Sequence, residues 1–389
     1  MFGSESEQPI SCPLYKSPPV VPCDPAELQP LLTHLQSGRA AGGILTFPRG
    51  TVTDDGRLDL CKQSLGPAGC RRVTQALEHS RTVVSLLLGT DGIGNTGTAD
   101  VAQLAEKNST IEVLYLGCNK IDAAGAASLA ASLAAPHSAV SGLWLKRNPL
   151  GADGARHLAE MLQTNRTLRT LDLVNTRIGP DGLAALADAL TGANQTLERL
   201  YLGGNFWGPD EASILAQIVR SAPRLRALLL SAGFLGDGGA AILASALADS
   251  RLEELSLASN GVGPNGAAHL FAAAAVHPTL PHLDLGYAVS TRALAASANV
   301  IGDEGAASAA RCLASDPALV RLNLRGCGVT AHGLDLLTQA MKANTRLQFL
   351  MLDRPPCAAL EDRLQQNRKS AEILPSVCRD VALTHSVYR

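Results

Sequence analysis

Three residues of the types found in hydrolytic sites fall close together when the sequence is read as strands. His282 and Asp284 are two positions apart in "LPHLDL", and Ser256 holds the corresponding place in "LEELSL" one unit earlier. Residues two apart in a strand share a face, so the three could act as base, orienting acid and nucleophile. Such a site needs a sheltered pocket that tunes its groups, and an open sheet offers little burial. We therefore expect no catalytic residues and no enzyme.

A glycine-rich stretch resembles a nucleotide-binding loop. "GIGNTG" (Gly92–Gly97) matches the G-x-G-x-x-G pattern, in which glycines let the backbone approach a pyrophosphate. Similar turns recur at regular intervals as "IGPDG", "LGDGG", "VGPNG" and "IGDEG". The backbone geometry of a repeated turn explains these glycines, so we expect no nucleotide and no other cofactor.

The cysteines show neither a ligand pattern nor a disulfide pattern. The chain has 9 of them, scattered without a C-x-x-C pair or zinc-ligand spacing. This favours reduced thiols in a cytoplasmic protein without a metal site. Cys61 and Cys118 would lie near the edge of the predicted sheet, where small turn-filling residues are expected more often than reactive thiols.

Charge and hydropathy argue against two classes of partner. The 389 residues carry a net charge of −2, which gives no bulk attraction to nucleic acid or to an anionic membrane. The longest apolar runs are far shorter than a membrane-spanning helix. The N-terminus also lacks the cationic and apolar regions of a secretory signal. We expect neither nucleic acid nor membrane as a partner.

A repeated leucine determines the predicted architecture. The unit reads LxxLxLxxN, then I/L-G-x-x-G-A, then a stretch rich in alanine and leucine. Nine of the ten intervals between successive fourth-position leucines are 27 to 29 residues, and the remaining one is 39. A fixed period of this size indicates a solenoid whose units bury their apolar faces against their neighbours. The leucines are Leu58, Leu86, Leu114, Leu143, Leu171, Leu200, Leu228, Leu255, Leu283, Leu322 and Leu350.

Each unit predicts one strand, one turn and one helix. "LRTLDL" (Leu168–Leu173) alternates as a short strand, and "IGPDG" (Ile178–Gly182) is a turn with a proline suited to a helix start. "LAALADAL" (Leu183–Leu190) is a helix with its leucines on one face. The strands should form a parallel sheet on a concave face, with the helices outside.

Asparagines recur at two positions of the unit. Asn119, Asn148, Asn205 and Asn260 occupy the turn, where an inward amide can bond the backbone of adjacent units. Asn108, Asn165 and Asn194 begin formal glycosylation sequons, but all three fall where a helix ends, a place that asparagine favours. We expect both sets to be structural.

The units resemble the ribonuclease-inhibitor-like class of leucine-rich repeats over roughly residues 57 to 353. That class includes ribonuclease inhibitor and the repeat regions of NOD-like receptors, and the "GAxxLAxAL" helices are also similar to GALA-type repeats of bacterial effectors. The resemblance implies an α/β fold, a right-handed βα solenoid shaped as a horseshoe. It would have parallel strands on the concave face, helices on the convex face and about 11 repeats.

Four regions follow from this reading. We expect a disordered segment at 1–23, an N-terminal cap at 24–56, the repeats at 57–353 and a C-terminal cap and tail at 354–389. The 39-residue interval contains 11 extra residues within 286–298, placed at the rim of the concave face. Loops of this kind often carry function, although neutral drift is an equal alternative.

Strand alternation predicts which residues a partner would meet. If Leu143 and Leu145 point inward, Gly142, Trp144 and Lys146 point out of the concave face, and we expect an exposed indole. Aromatic and arginine side chains are favoured interface anchors. The predicted partner-binding residues are Tyr115, Trp144, Lys146, Arg147, Tyr201, Leu87, Leu229 and Tyr287.

The predicted function is a non-enzymatic scaffold that binds a protein or peptide on the concave face. Two alternatives stay open. One is a GTPase-activating or GTPase-regulating protein resembling the Ran activator, with Lys146, Arg147 and Asn148 at the rim. The other is an effector-type adaptor that recruits ligase machinery through residues 1–56.

Overall fold

The structure of the protein is a computed structural model that describes residues 19–287, 294, 296–370 and 378–388. The expected disorder at 1–23 lies mostly outside these residues, as does much of the 286–298 insertion. The strands are β1 Leu45–Thr46, β2 Thr51–Val52, β3 Arg57–Asp59, β4 Ser85–Leu87, β5 Val113–Tyr115, β6 Gly142–Trp144, β7 Thr170–Asp172, β8 Arg199–Tyr201, β9 Ala227–Leu229, β10 Glu254–Ser256, β11 His282–Asp284, β12 Arg321–Asn323 and β13 Phe349–Met351.

Helices alternate with these strands along the chain. They are α1 Pro25–Gln36, α2 Gly66–Leu77, α3 Gly94–Lys107, α4 Ala123–Leu133, α5 Gly151–Thr164, α6 Gly179–Gly192, α7 Ala212–Ser221, α8 Gly236–Leu247, α9 Pro264–Val276, α10 Gly302–Ala314, α11 Ala331–Ala340, α12 Ala358–Ser370 and α13 Arg379–Ala382. No described helix is long and apolar enough to cross a membrane.

All strands belong to one open sheet in sequence order. From β3 to β13 the strands are parallel, and each of the eleven repeated leucines lies at the centre of its strand opposite the next. Those leucines pack against the helices in one continuous core. The predicted α/β solenoid with parallel strands is confirmed. Its physical basis is that leucines recurring about every 28 residues can be buried only when the units stack.

The unit of β7 and α6 shows how the sequence produces this packing. Gly179 begins α6 with a φ of 62°, a left-handed conformation that glycine adopts without strain. Leu183, Leu186 and Leu190 face the core from α6. A side chain on Gly182 would meet the methyl of Ala155 in α5, so small residues let neighbouring helices approach closely.

A ladder of asparagines links neighbouring turns. The Asn119 side chain donates to Leu88 O at 2.6 Å and to Leu116 O at 3.0 Å, and the Asn119 N–H donates to Asn148 Oδ1 at 2.8 Å. After the insertion, Asn299 continues the ladder by accepting from Asn260 N at 2.9 Å. The predicted structural role of the turn asparagines is confirmed.

The helix-exit asparagines make a second set of buried bonds. Asn108 donates to Leu77 O and Ser80 O at 2.8 and 3.0 Å and accepts from Ile111 N at 3.0 Å. Asn165 and Asn194 repeat this pattern two and three units later. The sequons are therefore explained by the fold, as predicted.

The two ends of the solenoid have different covers. At the N-terminal end, α1 buries Leu28, Leu31, Leu32 and Leu35, and the antiparallel pair β1–β2 extends the sheet. At the C-terminal end, α12 buries Leu360 and Leu364. The Arg321 and Arg368 guanidinium groups lie over the Phe349 ring of the last strand, with centroid distances of 4.7 and 5.6 Å.

Candidate interaction face

The sheet face opposite the helices, here called the concave face, carries the predicted binding residues. Leu143 and Leu145 lie in the main core with the helices, whereas Trp144 lies in a separate cluster on the other side of the sheet. The predicted direction of the indole is therefore correct. The same alternation places Tyr115 and Leu87 on the concave face.

The predicted exposure of these residues is wrong. Trp144, Tyr115 and Leu87 are only 4%, 5% and 0% exposed. Residues 378–388, here called the C-terminal segment, fold back over the concave face and bury them. Cys61, Leu87, Val113, Tyr115 and Trp144 of the sheet pack with Leu383 of this segment, forming what we call the apolar cluster.

The start of the C-terminal segment is held by polar groups of β7 and of the residues just before β5 and β6. Asp380 accepts from the Ser141 hydroxyl at 3.0 Å and from the Thr170 hydroxyl at 3.4 Å. Burial raises the pKa of the Asp380 carboxyl, although these hydroxyl bonds offset part of the rise. Arg379 makes a 2.6 Å ion pair with Glu112.

The middle of the segment supplies the apolar contact. Leu383 is 7% exposed within the apolar cluster, and Val381 packs against the cluster's edge. The Leu383 carbonyl accepts from the Ser85 hydroxyl of β4 at 2.7 Å. The backbone and the side chain of Leu383 therefore both contact the sheet.

The end of the segment reaches the first strands. Asp59 of β3 accepts from the Ser386 hydroxyl at 3.1 Å and from Val387 N at 2.8 Å. The Tyr388 hydroxyl lies 2.6 Å from that of Thr51 in β2. The segment therefore crosses the strands in turn from β7 to β2.

The predicted cations beside Trp144 have intramolecular roles. Lys146 Nζ lies 5.3 Å from the centroid of the Tyr115 ring, so this lysine packs on the same aromatic that the segment covers. Arg147 has a φ of 58°, and its N–H donates to Val174 O at 2.8 Å. Arg147 thus forms part of the turn after β6.

The residues that the structure describes leave the other half of the concave face uncovered. An open groove of about 580 Å³ lies over β8 to β13, and Cys378 and Val381 of the C-terminal segment form one of its walls. Its floor includes Arg199, Tyr201, Glu254, His282, Asp284 and Arg321.

Charge in this open groove is partly paired within the sheet. Arg199 and Glu254 form an ion pair across β9. Burial raises the pKa of the Tyr201 hydroxyl to about 12, although the nearby Arg199 guanidinium opposes this rise. Burial also lowers the pKa of His282. The groove thus combines an aromatic ring with groups of both charge signs.

Two further predicted binding residues border the uncovered half. Leu229 is half-buried at the outward position of β9, and Tyr287 is half-buried just after β11. The Tyr287 N–H donates to Arg325 O at 2.8 Å, and its Cβ lies against Gly326. The structure therefore distributes the predicted binding residues over a covered half and an uncovered half.

Comparisons with known proteins agree with the repeat architecture. A family model described as Leucine Rich repeat matches residues 107–130, 164–187 and 250–271. Ribonuclease inhibitor from Mus musculus is 31% identical over 104 residues, which are 27% of this chain and 23% of that protein. The chain carries leucine-rich repeats of the ribonuclease-inhibitor-like kind.

Other similar proteins share shorter or more distant parts. The Tonsoku-like protein of Bos taurus is 40% identical over 98 residues, covering 25% of this leucine-rich-repeat chain and 7% of that protein. A crystal structure of the yeast Rad7 and Elc1 complex matches with a TM-score of 0.51 and 15% identity, covering 84% of this chain and 76% of that one. The chain therefore matches about a quarter or less of the length of these curated relatives. Repeats of this kind support a role as a protein-interaction scaffold.

The residues that could do chemistry are arranged differently from a hydrolytic site in this leucine-rich-repeat protein. The Ser256 hydroxyl donates directly to Asp284 at 3.0 Å and also lies 3.0 Å from the Ser231 hydroxyl. No hydrogen bond between described residues joins His282 to Ser256. Among the described residues, no three His, Cys, Asp or Glu side chains are grouped to hold a metal ion.

The two cysteines near the sheet edge differ in environment. Cys61 lies within the apolar cluster, and burial raises the pKa of its thiol to about 12. Cys118 is half-buried in the turn after β5 with a φ of 60°. A thiol as covered as Cys61 reacts slowly unless the segment above it moves.

Sequence reasoning missed the C-terminal segment. The sequence predicts only a cap and tail at 354–389, although "RDVALTHSVY" places Val381, Leu383, Val387 and Tyr388 among polar residues. An apolar tail of this kind after a closing helix is the signal that could have indicated a docked segment. Its position on the sheet depends on contacts more than 200 residues apart in the chain, such as Ser141 with Asp380.

Proposed function

We propose that this chain is a non-enzymatic scaffold that binds a protein or peptide on the concave face of its sheet. The observation that carries the proposal is the C-terminal segment itself. The outward side chains of β2 to β7 already hold a short peptide through an apolar cluster and a set of hydroxyl and carboxylate groups.

The open groove offers the first contact for a partner. Tyr201 is an aromatic of the type that anchors interfaces, and Leu229 and Tyr287 border the same half. A partner reaches Leu87, Tyr115, Trp144 and Lys146 only where the C-terminal segment is absent. Arg147 lies in the turn after β6.

The curated relatives add a further argument for a protein ligand. A ribonuclease inhibitor is named for its action on another protein. No specific contact among the described residues favours the GTPase-regulating or the adaptor alternative.

A peptide selection tests the binding face. A random peptide library is selected on the full chain, and the bound peptides are measured by fluorescence anisotropy against Tyr201→Ala and Met351→Ala. Both residues line the open groove. We expect their affinity to fall by about tenfold or more on at least one of these variants, because interface anchors often contribute 1–2 kcal/mol or more each.

His269→Ala is the matched control, because His269 is exposed on α9 of the convex side. It should leave the affinities unchanged. Peptides that bind both groove variants as tightly as wild type and are not displaced by a peptide with the sequence of residues 379–389, or that lose binding only on His269→Ala, would contradict the proposal. Thermal unfolding of each variant verifies that the fold is intact.

A further inference from the structure

The C-terminal segment has the geometry of a ligand on the concave face. It contacts side chains of successive strands from Thr170 in β7 to Thr51 in β2, yet it adds no strand to the sheet. It is joined to α12 through residues 371–377, which lie outside the described part of the chain. A separate peptide can make side-chain contacts of this type, because they do not require a covalent connection to the sheet.

The sheet surface below the segment has the composition of an interface. Its centre consists of Leu87, Val113, Tyr115 and Trp144, and hydroxyl and carboxylate groups surround it. An apolar centre with a polar rim is typical of protein-binding surfaces. On this side of the sheet, Lys146 lies over the Tyr115 ring and Leu383 of the segment packs against the apolar centre.

Three features of the segment match three features of the sheet. The Asp380 carboxylate meets two hydroxyls, Leu383 fills the apolar cluster three residues later, and the backbone N–H of Val387 meets a buried carboxylate of β3. Asp380 and Leu383 point the same way because they are one helical turn apart, and α13 supplies that turn.

We propose that the C-terminal segment is an intramolecular competitor for the binding face, and that the external partner is a peptide segment of the same chemistry. Such a partner carries an acidic residue, a leucine-sized apolar residue three positions later, and after it a stretch that donates a backbone N–H to Asp59. This inference rests on the proposed function and adds to it the class of ligand and the way binding is regulated.

Tethering explains why the segment occupies the face in the isolated chain. A short linker keeps a tethered ligand at an effective concentration on the order of millimolar. An external peptide with the same intrinsic affinity therefore binds the full chain more weakly than it binds a chain whose segment is undocked. Removing the internal contacts should increase the external affinity.

The test uses a fluorescent probe peptide with the sequence of residues 379–389 and two full-length proteins. One is wild type, and the other is an opened variant that carries Asp380→Ala and Leu383→Ala. We expect the probe to bind the opened variant about tenfold or more tightly than wild type. A control probe with the same two alanines should bind neither protein.

Cys61 provides an independent readout, because its thiol lies under Leu383 and Ser386. Maleimide labelling followed by mass spectrometry should modify Cys61 about tenfold or more faster in the opened variant than in wild type. Addition of the probe should restore the protection. Cys327, which is buried in the main core, is the internal control and should stay protected throughout.

An opened variant that is folded but neither binds the probe nor exposes Cys61 would overturn the inference. If the opened variant fails to fold, a protease site introduced within 371–377 of the full chain replaces it. After cleavage, exchange of the released segment for the probe supports the inference. A cut segment that does not exchange, or unfolding upon cleavage, shows that the segment is a permanent part of the fold.

Two further outcomes separate this inference from the proposed function. Selected peptides that depend on Tyr201 but are not displaced by the probe would leave the proposed function standing and would overturn the inference. Failure of every selected peptide to depend on the concave face would overturn both. A dimer in which each segment binds the sheet of the other copy, detected by light scattering, would overturn the intramolecular assignment.

Discussion

The indole of Trp144 lies against the α carbon of Gly142, two residues earlier on the same face of β6. A side chain on Gly142 would overlap the Cζ3 atom of the ring and would come within 3.5 Å of Asp380 Cβ. The glycine therefore makes room both for the indole and for the C-terminal segment that covers it. This pairing explains why "GLW" occurs where other units have larger residues.

Gly142→Ala should destabilise the protein by about 1–3 kcal/mol, because an added methyl overpacks a filled site. Urea unfolding followed by circular dichroism measures the effect. Gly238→Ala is the control: Gly238 is an exposed glycine of α8 with open space around it. That change should be neutral or stabilising by up to about 1 kcal/mol, and equal losses for the two variants would contradict the packing argument.

Trp144→Ala should cost about 3–5 kcal/mol of unfolding free energy, since it removes a large buried side chain. A concave-face tryptophan open to solvent would instead leave the melting temperature nearly unchanged. Phe206→Ala removes an aromatic ring that is 46% exposed and serves as the comparison. Similar melting temperatures for wild type and Trp144→Ala would mean that the C-terminal segment does not cover the indole in solution.

Asp91→Asn should stabilise the protein at neutral pH. Asp91 occupies the ladder position held by Asn119 one unit later, but its Oδ2 is buried without a hydrogen-bond partner among the described residues, and burial raises the pKa of its carboxyl well above the usual value. Because the pKa of Asp91 is raised in the folded state, the protein loses stability as the pH rises. The loss begins near pH 4, the pKa of an aspartate in the unfolded chain, and continues to the folded-state pKa. The asparagine does not titrate and adds two donors for backbone carbonyls. We expect a gain of about 1–3 kcal/mol at pH 7 that is smaller at pH 4. Urea unfolding at the two pH values measures it, and an equal gain at both would contradict the assignment.

Acid should destabilise the fold through His277. The Thr279 N–H donates to His277 Nδ1 at 3.1 Å, so the neutral ring carries its proton on Nε2, which lies 3.0 Å from the Ser250 hydroxyl. Burial lowers the pKa of this ring below the usual histidine value of about 6.5. The unfolded state then binds more protons, so the stabilising contribution is present above about pH 6.5 and is lost as pH falls through the folded pKa.

His277→Gln should therefore flatten the dependence of unfolding free energy on pH below about 6.5, even if it lowers stability overall. His269→Gln, on the exposed side of α9, should keep the slope of wild type. Thermal or urea unfolding at a series of pH values gives both slopes. Identical slopes for wild type and His277→Gln would show that another group titrates.

The order and type of the elements followed from local sequence. A leucine at a 28-residue interval, a glycine turn and an alanine-rich helix are each short-range patterns, and together they permit one way of burying the apolar faces. The ladder asparagines were predictable for the same reason, because each bonds only to its own and adjacent turns, as Asn148 does with Leu116 and Leu145.

Local alternation also determined that Trp144 faces away from the helices, since Leu143 and Leu145 on either side of it must face them. Whether the indole meets solvent was decided only in the tertiary structure. Its cover comes from residues more than 230 positions later, and no periodicity in the sequence links Leu383 to β5 or β6. Burial on the concave face depends on where a distant apolar segment finds matching hydroxyls and carboxylates. That match is a property of the assembled surface and not of any single repeat.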